Sequence, residues 1–219
     1  MSPKNKILHI AYVPELDQMT LDKSAEYLFE KVKSHSIDSV NWSKPYSYKP
    51  LTSFYVARGS QELYISYLVS GNYLRAVNSR DQQPVQDDSC VSALFRNENT
   101  GLLYDFSFNC IGTCAATYGS TPGEMENFDL NQLAKIRRYA DLGKRPFFEM
   151  EGLFTWQLTV AIPFQLLGLQ DEELNSVLSG NFCKRADATA HPHFLSWNPI
   201  VSSQPEFLIP EYFGKIKFD

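Results

Sequence analysis

Two runs in this chain alternate large apolar and polar residues with a period of two, and this pattern constrains the fold more than any other feature. In residues 102–110, aromatic side chains alternate with Asp105, Ser107 and Asn109. In residues 153–162, large apolar side chains alternate with small or polar ones. A period of two with one polar face is expected of sheets that pack on one side only. The pattern therefore predicts an antiparallel β-sandwich.

Short runs rich in aromatic and β-branched residues recur along most of the chain, as expected of strands. The chain has 12 Tyr, 15 Phe and 3 Trp, and this 14% aromatic content also favours a β-rich fold. The predicted strands are 52–58, 61–69, 73–78, 89–96, 102–110, 113–118, 153–162, 180–186, 193–197 and 214–218. The inner-face residues expected in the core are Phe106, Phe108, Trp156, Leu158 and Val160.

Helical patterns are few. Residues 20–34 have apolar side chains at helical spacing behind Thr20, a plausible N-cap, and residues 128–138 show a weaker pattern behind Asp129. Residues 162–168 look like a strand that ends in one helical turn closed by Gly168. The predicted fold is mainly β, a jelly-roll-like sandwich with immunoglobulin-like layering, one N-terminal helix and one or two short helices. We expect one domain, with 1–40 as an N-terminal extension and 41–219 as the sandwich.

Charge and hydropathy exclude several partners. The net charge is −5 and the 20 basic residues are scattered, so no clustered Lys and Arg surface is expected for nucleic acid. No stretch approaches the roughly 20 apolar residues of a membrane span, and the N-terminus has no secretory pattern. If that start is native, we expect a cytoplasmic protein whose four cysteines are free thiols; otherwise the protein would be secreted or periplasmic.

Motifs of catalytic and metal sites are weak or missing. The sequence contains no dinucleotide-binding glycine motif, P-loop, nucleophile elbow or HExxH. His191 and His193, with Cys183 and Asp187 upstream, are ligand types for a metal, but a proline turn with backbone-bonded histidines is the commoner outcome. Asp87 and Asp88 could bind a structural calcium ion, although a solvated turn is commoner. No other cofactor is expected.

Four stretches, taken together and in order, resemble carbohydrate-binding module family 9. They are 84–91 (PVQDDSCV), 104–113 (YDFSFNCIGT), 192–200 (PHFLSWNPI) and 210–216 (PEYFGKI). The resemblance extends from about Asn41 to Phe218, and it is greater to standalone relatives of this length in Bacteroides-type bacteria. Family 9 modules accompany xylanases and take part in carbohydrate catabolism.

The resemblance implies a non-catalytic sandwich in which two aromatic side chains clamp a sugar while charged and amide groups bind its hydroxyls. The first clamp position falls at Val85 or Gln86, and the second at Phe207, which is expected to be partly exposed. The polar site positions fall at Ser92, Ser107 and Gln204. Asp105 and Asn109 share the polar face of their strand with Ser107, and they complete the candidate ligand set. Trp197 matches a tryptophan that is expected to be structural.

The leading hypothesis is a carbohydrate-binding protein that binds a xylan- or glucan-derived saccharide weakly. A glycoside hydrolase acting on xylan or a related glycan is the first alternative, and it requires two facing carboxylates in a cleft. A scaffold or interaction protein with a decayed sugar site is the second, because the carried-over positions Gln86, Ser92 and Ser107 hold uncharged, non-aromatic residues.

Overall fold

The structure, a computed structural model, describes residues 6–169 and 178–219. Its strands are β1 Ile7–Tyr12, β2 Ser34–Ser36, β3 Ser39–Val40, β4 Leu51–Arg58, β5 Glu62–Ala76, β6 Cys90–Asn97, β7 Leu103–Asn109, β8 Cys114–Gly119, β9 Met125–Asn127, β10 Arg137–Ala140, β11 Phe147–Pro163, β12 Leu178–Ala186, β13 His193–Ser196 and β14 Gly214–Phe218. Its α-helices are α1 Leu21–Lys31 and α2 Leu130–Ala134. Short 3-10 helices lie at Pro14–Gln18, Val85–Asp87, Phe164–Leu167 and Pro210–Tyr212.

The strands form two layers that face each other, so the predicted sandwich is confirmed. The strand order is β10-β11-β5-β4-β1-β14-β12-β6-β7-β8-β9, with β2, β3 and β13 paired beside this path. The first four strands form one layer, and β14 and the strands that follow it form the other. Across the layers, the rings of Phe54 and Phe182 stack with centroids 4.0 Å apart.

The N-terminal segment is part of the sheet, although the sequence pattern suggested an extension. Strand β1 pairs in parallel with β14 through Ile7–Ile10 and with β4 through Ala11 and Tyr12, so one strand connects the two layers. The other strand pairs of the described part are antiparallel, which makes the sheet mixed rather than purely antiparallel.

The core contains the residues that the alternation placed there. Phe106, Phe108, Trp156, Leu158 and Val160 are all at most 2% exposed and belong to one apolar cluster. Trp197 is buried as predicted, and its ring lies so close to Gly214 that an added Cβ there would come within 2.4 Å of Cζ3. The four cysteines are free and buried.

Two predicted elements differ in extent. The helix expected over 128–138 is limited to the five residues of α2, behind a capping box formed by Asp129 and Gln132. The residues from Arg137 onward form strand β10 instead, because Arg137 pairs with Ala161 of β11. The strands expected at 61–69 and 73–78 are one continuous strand, β5, since β11 is longer than predicted and pairs along all of it.

A buried hydroxyl in the core gives a stability prediction. Tyr67 is fully buried, and its Oη has no hydrogen-bond partner in the described part of the chain. Tyr67→Phe removes an unsatisfied polar group, so we expect the free energy of unfolding to rise by about 1 kcal/mol. Urea unfolding measures this change.

Tyr64 on the same strand is the matched control. It is equally buried, but its Oη donates to the Leu16 carbonyl at 3.1 Å and accepts from Arg137 Nη2 at 2.7 Å. Tyr64→Phe should therefore lower the free energy of unfolding by about 1–2 kcal/mol. Equal losses in the two variants would contradict the prediction.

Candidate functional site

The outer face of β6, β7 and β12 brings together several residues that the sequence analysis selected. Alternation turns Ser92, Ser107 and Cys183 away from the core between the two layers, since Val91, Phe108 and Phe182 point into that core. Ser92 and Cys183 are nevertheless buried, at 3% and 0% exposed, whereas Ser107 is half-buried. The strand register places Ser92 opposite both Ser107 and Cys183, so the three residues form one row across the sheet.

A chain of hydroxyls ends on a carboxylate in this face. Ser107 Oγ donates to Asp105 Oδ1 at 2.7 Å, and Ser92 Oγ in turn donates to Ser107 Oγ at 2.8 Å. Asp105 Oδ2 accepts no hydrogen bond from any described residue. Burial raises the pKa of Asp105, while the Ser107 hydrogen bond and the charge of Arg185 oppose that rise. Asp105 is half-buried, and one of its two carboxylate oxygens is engaged by a described residue.

Arg185 is the cation of this face. Its Nε donates to Asp187 Oδ1 at 2.8 Å, and its Nη2 donates to Asp187 Oδ2. The guanidinium carbon lies 5.3 Å from the ring centre of Phe207 and 5.7 Å from that of Phe194, within the range of cation–π contacts. Nη1 makes no hydrogen bond to any described residue. With 24% of its side chain exposed, Arg185 offers two free N–H donors on a supported plane.

Acidic residues border this guanidinium. Asp87 is half-buried, and burial, followed by the charge of Asp187, raises its pKa. The loop that follows β12 is tied to the segment before β6, because the Asp187 amide donates to the Gln86 carbonyl at 2.9 Å. We call the set Ser92, Asp105, Ser107, Arg185 and Asp187 the Arg185 face.

The exposure predicted for Phe207 is wrong. The residue is only 6% exposed, because its ring packs edge-on against Trp42 at 5.5 Å and beside Phe194 at 6.3 Å. The loop that carries Phe207 packs against this face of the sheet, and the ring belongs to the same apolar cluster as Cys183 and Leu94. Gln204, on the same loop, is exposed, and Gln86 is half-buried.

Asn109 is also not available to a ligand. It is fully buried, and its Nδ2 donates to the Asn78 carbonyl at 2.7 Å and to Asp88 Oδ2 at 3.0 Å. Its Oδ1 accepts from the amides of Ile111 and Thr113. Asn109 therefore fixes the turn between β7 and β8, although it shares a strand face with Asp105.

The surroundings of Asp88 do not fit a calcium ion, which the sequence analysis named as one possible ligand of Asp87 and Asp88. Asp88 is fully buried rather than solvated, and its carboxylate accepts N–H donors from Val77, Asn78 and Asn109 at 2.9–3.2 Å. Arg75 Nε lies 3.4 Å from Oδ1. These donors occupy the lone pairs that a cation would need, and their positive ends would repel it.

At the histidine pair, the backbone bond that the sequence analysis gave as the commoner outcome is present at His193. His193 Nδ1 donates to the His191 carbonyl at 3.0 Å, and its Nε2 accepts from the buried Lys184 Nζ at 2.8 Å. No three His, Cys, Asp or Glu side chains within 6–169 and 178–219 come together as a metal site requires.

None of the helices within 6–169 and 178–219 is long and apolar enough to cross a bilayer.

The burial of His193 leads us to expect that the protein loses stability in acid. Burial, and then the charge of Lys184, lower the pKa of His193 to about 2, whereas an unfolded histidine titrates near 6.5. Below about pH 6.5 the unfolded chain binds a proton that the folded chain does not bind, so stability falls as pH falls. We expect this group to cost about 2 kcal/mol at pH 5.

Urea unfolding at pH 7 and pH 5 measures that loss. His193→Gln keeps an acceptor for Lys184 and should reduce the difference between the two pH values. His9→Gln, at an exposed position, should leave the difference as in the parent. An undiminished difference in His193→Gln would exclude His193 as its source.

Sequence reasoning missed Arg185. A signal was present, because Cys183 and Arg185 are two residues apart on the predicted strand 180–186 and so share a face, and Asp187 follows directly after that strand. The sequence does not show which strand lies next to β12. In the structure β12 pairs with β6, so the face of β12 that carries Arg185 is continuous with the face that carries Ser92 and Asp105.

The sequence profile of carbohydrate-binding family 9 matches residues 22–218. The chain belongs to this family. The resemblance to carbohydrate-binding module family 9 that the four sequence stretches indicated is therefore confirmed.

Solved structures agree with this assignment. A presumed carbohydrate-binding protein from Bacteroides uniformis is 30% identical, with a TM-score of 0.91 over 99% of this chain and 100% of that one. A family 9 module from Caldicellulosiruptor kristjanssonii in complex with cellotriose is 11% identical, with a TM-score of 0.62 over 97% and 93% of the two chains. Its glucose complex gives 12% identity and a TM-score of 0.61 over 98% and 96%. Among curated proteins, none matches the chain.

Proposed function

We propose that this protein binds a neutral saccharide of glucan or xylan type on the Arg185 face, weakly and without chemical conversion of the sugar. The observation that carries the proposal is the pairing of free groups on that face. Arg185 Nη1 offers donors, Asp105 Oδ2 offers an acceptor, and both sit on side chains held by other bonds. Such fixed planar groups recognise the geometry of sugar hydroxyls.

Family membership and the sugar complexes of the Caldicellulosiruptor module support a saccharide as the ligand class. In this chain the ring at the second clamp position, Phe207, is buried, and its centre lies 5.3 Å from the Arg185 guanidinium carbon. The exposed plane offered to a sugar ring is then the guanidinium rather than an aromatic ring. Without an exposed clamp ring we expect a Kd of about 1 mM, which corresponds to about 4 kcal/mol.

Calorimetry with glucose, cellotriose and xylotriose tests this proposal. Arg185→Gln and Asp105→Asn should each weaken binding by about tenfold, which is the loss of one charge-assisted hydrogen bond. Arg96→Gln is the matched control, because Arg96 lies on β6 with 42% of its side chain exposed and forms an ion pair with Glu98 at 3.8 Å.

Each outcome has a distinct meaning. Binding that survives both site variants would place the sugar elsewhere on the molecule. No heat from any of the three saccharides at millimolar concentration would overturn the proposed function. Thermal unfolding of each variant confirms that a loss of affinity is not a loss of fold.

A further inference from the structure

A cavity of about 910 Å³ lies at an edge of the sandwich and shares no residue with the Arg185 face. Its walls come from the 79–83 loop before β6, the turn between β7 and β8 at Gly112, helix α2, strand β10 and Lys144 beyond it. Neither the sequence patterns nor the family resemblance pointed to it.

The 79–83 loop is fixed in place before any ligand arrives. Gln82 is the residue other than glycine with a positive φ in the described part of the chain, at 65°. Its side chain holds this conformation by donating to the carbonyls of Ala116 and Phe128 at 3.0 and 2.7 Å. Gln83 Oε1 accepts the amides of Ser79 and Arg80, both at 2.9 Å. A preorganised loop loses little conformational entropy on binding.

One ion pair in the cavity wall is already complete. Arg138 binds Asp81 with both terminal nitrogens, at 2.7 and 2.8 Å. The guanidinium also donates to the carbonyls of Gly112, Leu133 and Ile136. Asp81 Oδ1 also accepts the Cys114 amide at 3.0 Å. Arg138 is therefore structural, and Asp81 carries no uncompensated charge into the cavity.

The charged groups of the lining that lack partners are cations, and the hydroxyls of Ser79 and Thr113 also form no hydrogen bond with a described residue. The side chains of Arg80 and Lys144 are exposed and make no hydrogen bond or ion pair with a described residue. Gln83 Nε2 is likewise free, because only its Oε1 is engaged. The cavity thus presents two uncompensated cations in a protein whose net charge is −5.

The apolar part of the lining is aliphatic. Ile111 and Ile136 form the buried floor, and Leu130, 66% exposed, stands at the rim. No aromatic side chain lines the cavity, so the stacking surface on which a neutral pyranose usually packs is missing. Donors and cations around an aliphatic floor favour a small anionic ligand instead.

We propose that this cavity is a second binding site, which takes an anionic sugar unit whose carboxylate is held by Arg80 and Lys144. The anionic charge is inferred from the cavity itself, and the sugar body from membership of a carbohydrate-binding family. The site is separate from the Arg185 face, so the two can be tested independently.

To test the proposal, the full chain is titrated with glucuronate at low salt while its backbone amide chemical shifts are monitored by NMR. Saturable shifts should appear at Gln83 and Gly112 and weaken with added salt, since exposed charges are screened. Arg80→Gln combined with Lys144→Gln should weaken glucuronate binding about tenfold or more. The matched control is Lys215→Gln combined with Lys217→Gln, two exposed positions of β14 where binding should be unchanged.

Other outcomes overturn the proposal. It fails if glucuronate does not bind the parent protein, or if the Arg80 and Lys144 variant binds it as tightly. Inorganic sulfate that binds as tightly as glucuronate would mean a bare anion site and not a sugar site. Arg185→Gln separates this proposal from the first, because it should weaken cellotriose binding and leave glucuronate binding intact.

Discussion

Asp88→Ala is expected to destabilise the protein by roughly 3–5 kcal/mol, among the largest effects of any single substitution in this chain. The carboxylate is fully buried and accepts hydrogen bonds from the amides of Val77 and Asn78 and from the side chain of Asn109. Its removal leaves these donors without acceptors, and it leaves Arg75 without its counter-charge at 3.4 Å. Each unsatisfied buried donor costs about 1–3 kcal/mol.

Urea unfolding of Asp88→Ala beside Asp87→Ala measures this effect. Asp87 is the neighbouring residue of the same type, but its carboxylate is half-buried and forms no hydrogen bond with a described residue. We expect Asp87→Ala to change stability by less than about 1 kcal/mol. Asp88→Asn keeps one acceptor oxygen and should fall between the two. Similar losses for the Asp87 and Asp88 alanine variants would refute the central role of Asp88.

The two alternating strands were predictable because their pattern is local in the sequence. Alternation in 102–110 and 153–162 gave both the strands and their inner faces, and the structure buries the residues that it placed inside. Strand β1 was missed because its six residues contain only two buried positions, Leu8 and Ile10. Its role depends on β4 and β14, which lie far away in the sequence.

The candidate site was less predictable, because it depends on contacts between distant segments. Asp105 and Asn109 share a strand face in the sequence pattern. Only the fold shows that Asn109 binds Asp88 and is fully buried, whereas Asp105 keeps a free oxygen. Arg185 lies in the site because its strand, β12, pairs with β6. Exposure of Phe207 was inferred from a family position, but the path of its loop decides the exposure.

Phe207→Ala should therefore lower the stability of the protein, by about 3 kcal/mol, rather than act on binding alone. The ring is 6% exposed and fills a cluster with Trp42 and Phe194, so its truncation leaves a cavity that the packed neighbours can close only in part. Chemical unfolding measures the loss. Phe148→Ala is the matched control, since Phe148 is 81% exposed and its removal should change stability by less than about 0.5 kcal/mol.

Phe207→Leu separates the structural role of the ring from its effect on a ligand. Leucine retains most of the buried volume, so we expect a stability loss of only about 1 kcal/mol. It does not retain the flat surface on which the Arg185 guanidinium lies 5.3 Å from the ring centre. If the guanidinium plane meets the sugar, Phe207→Leu should weaken saccharide binding while the fold persists. Unchanged affinity in this variant would mean that Phe207 serves the core alone and that Arg185 is held well enough by Asp187.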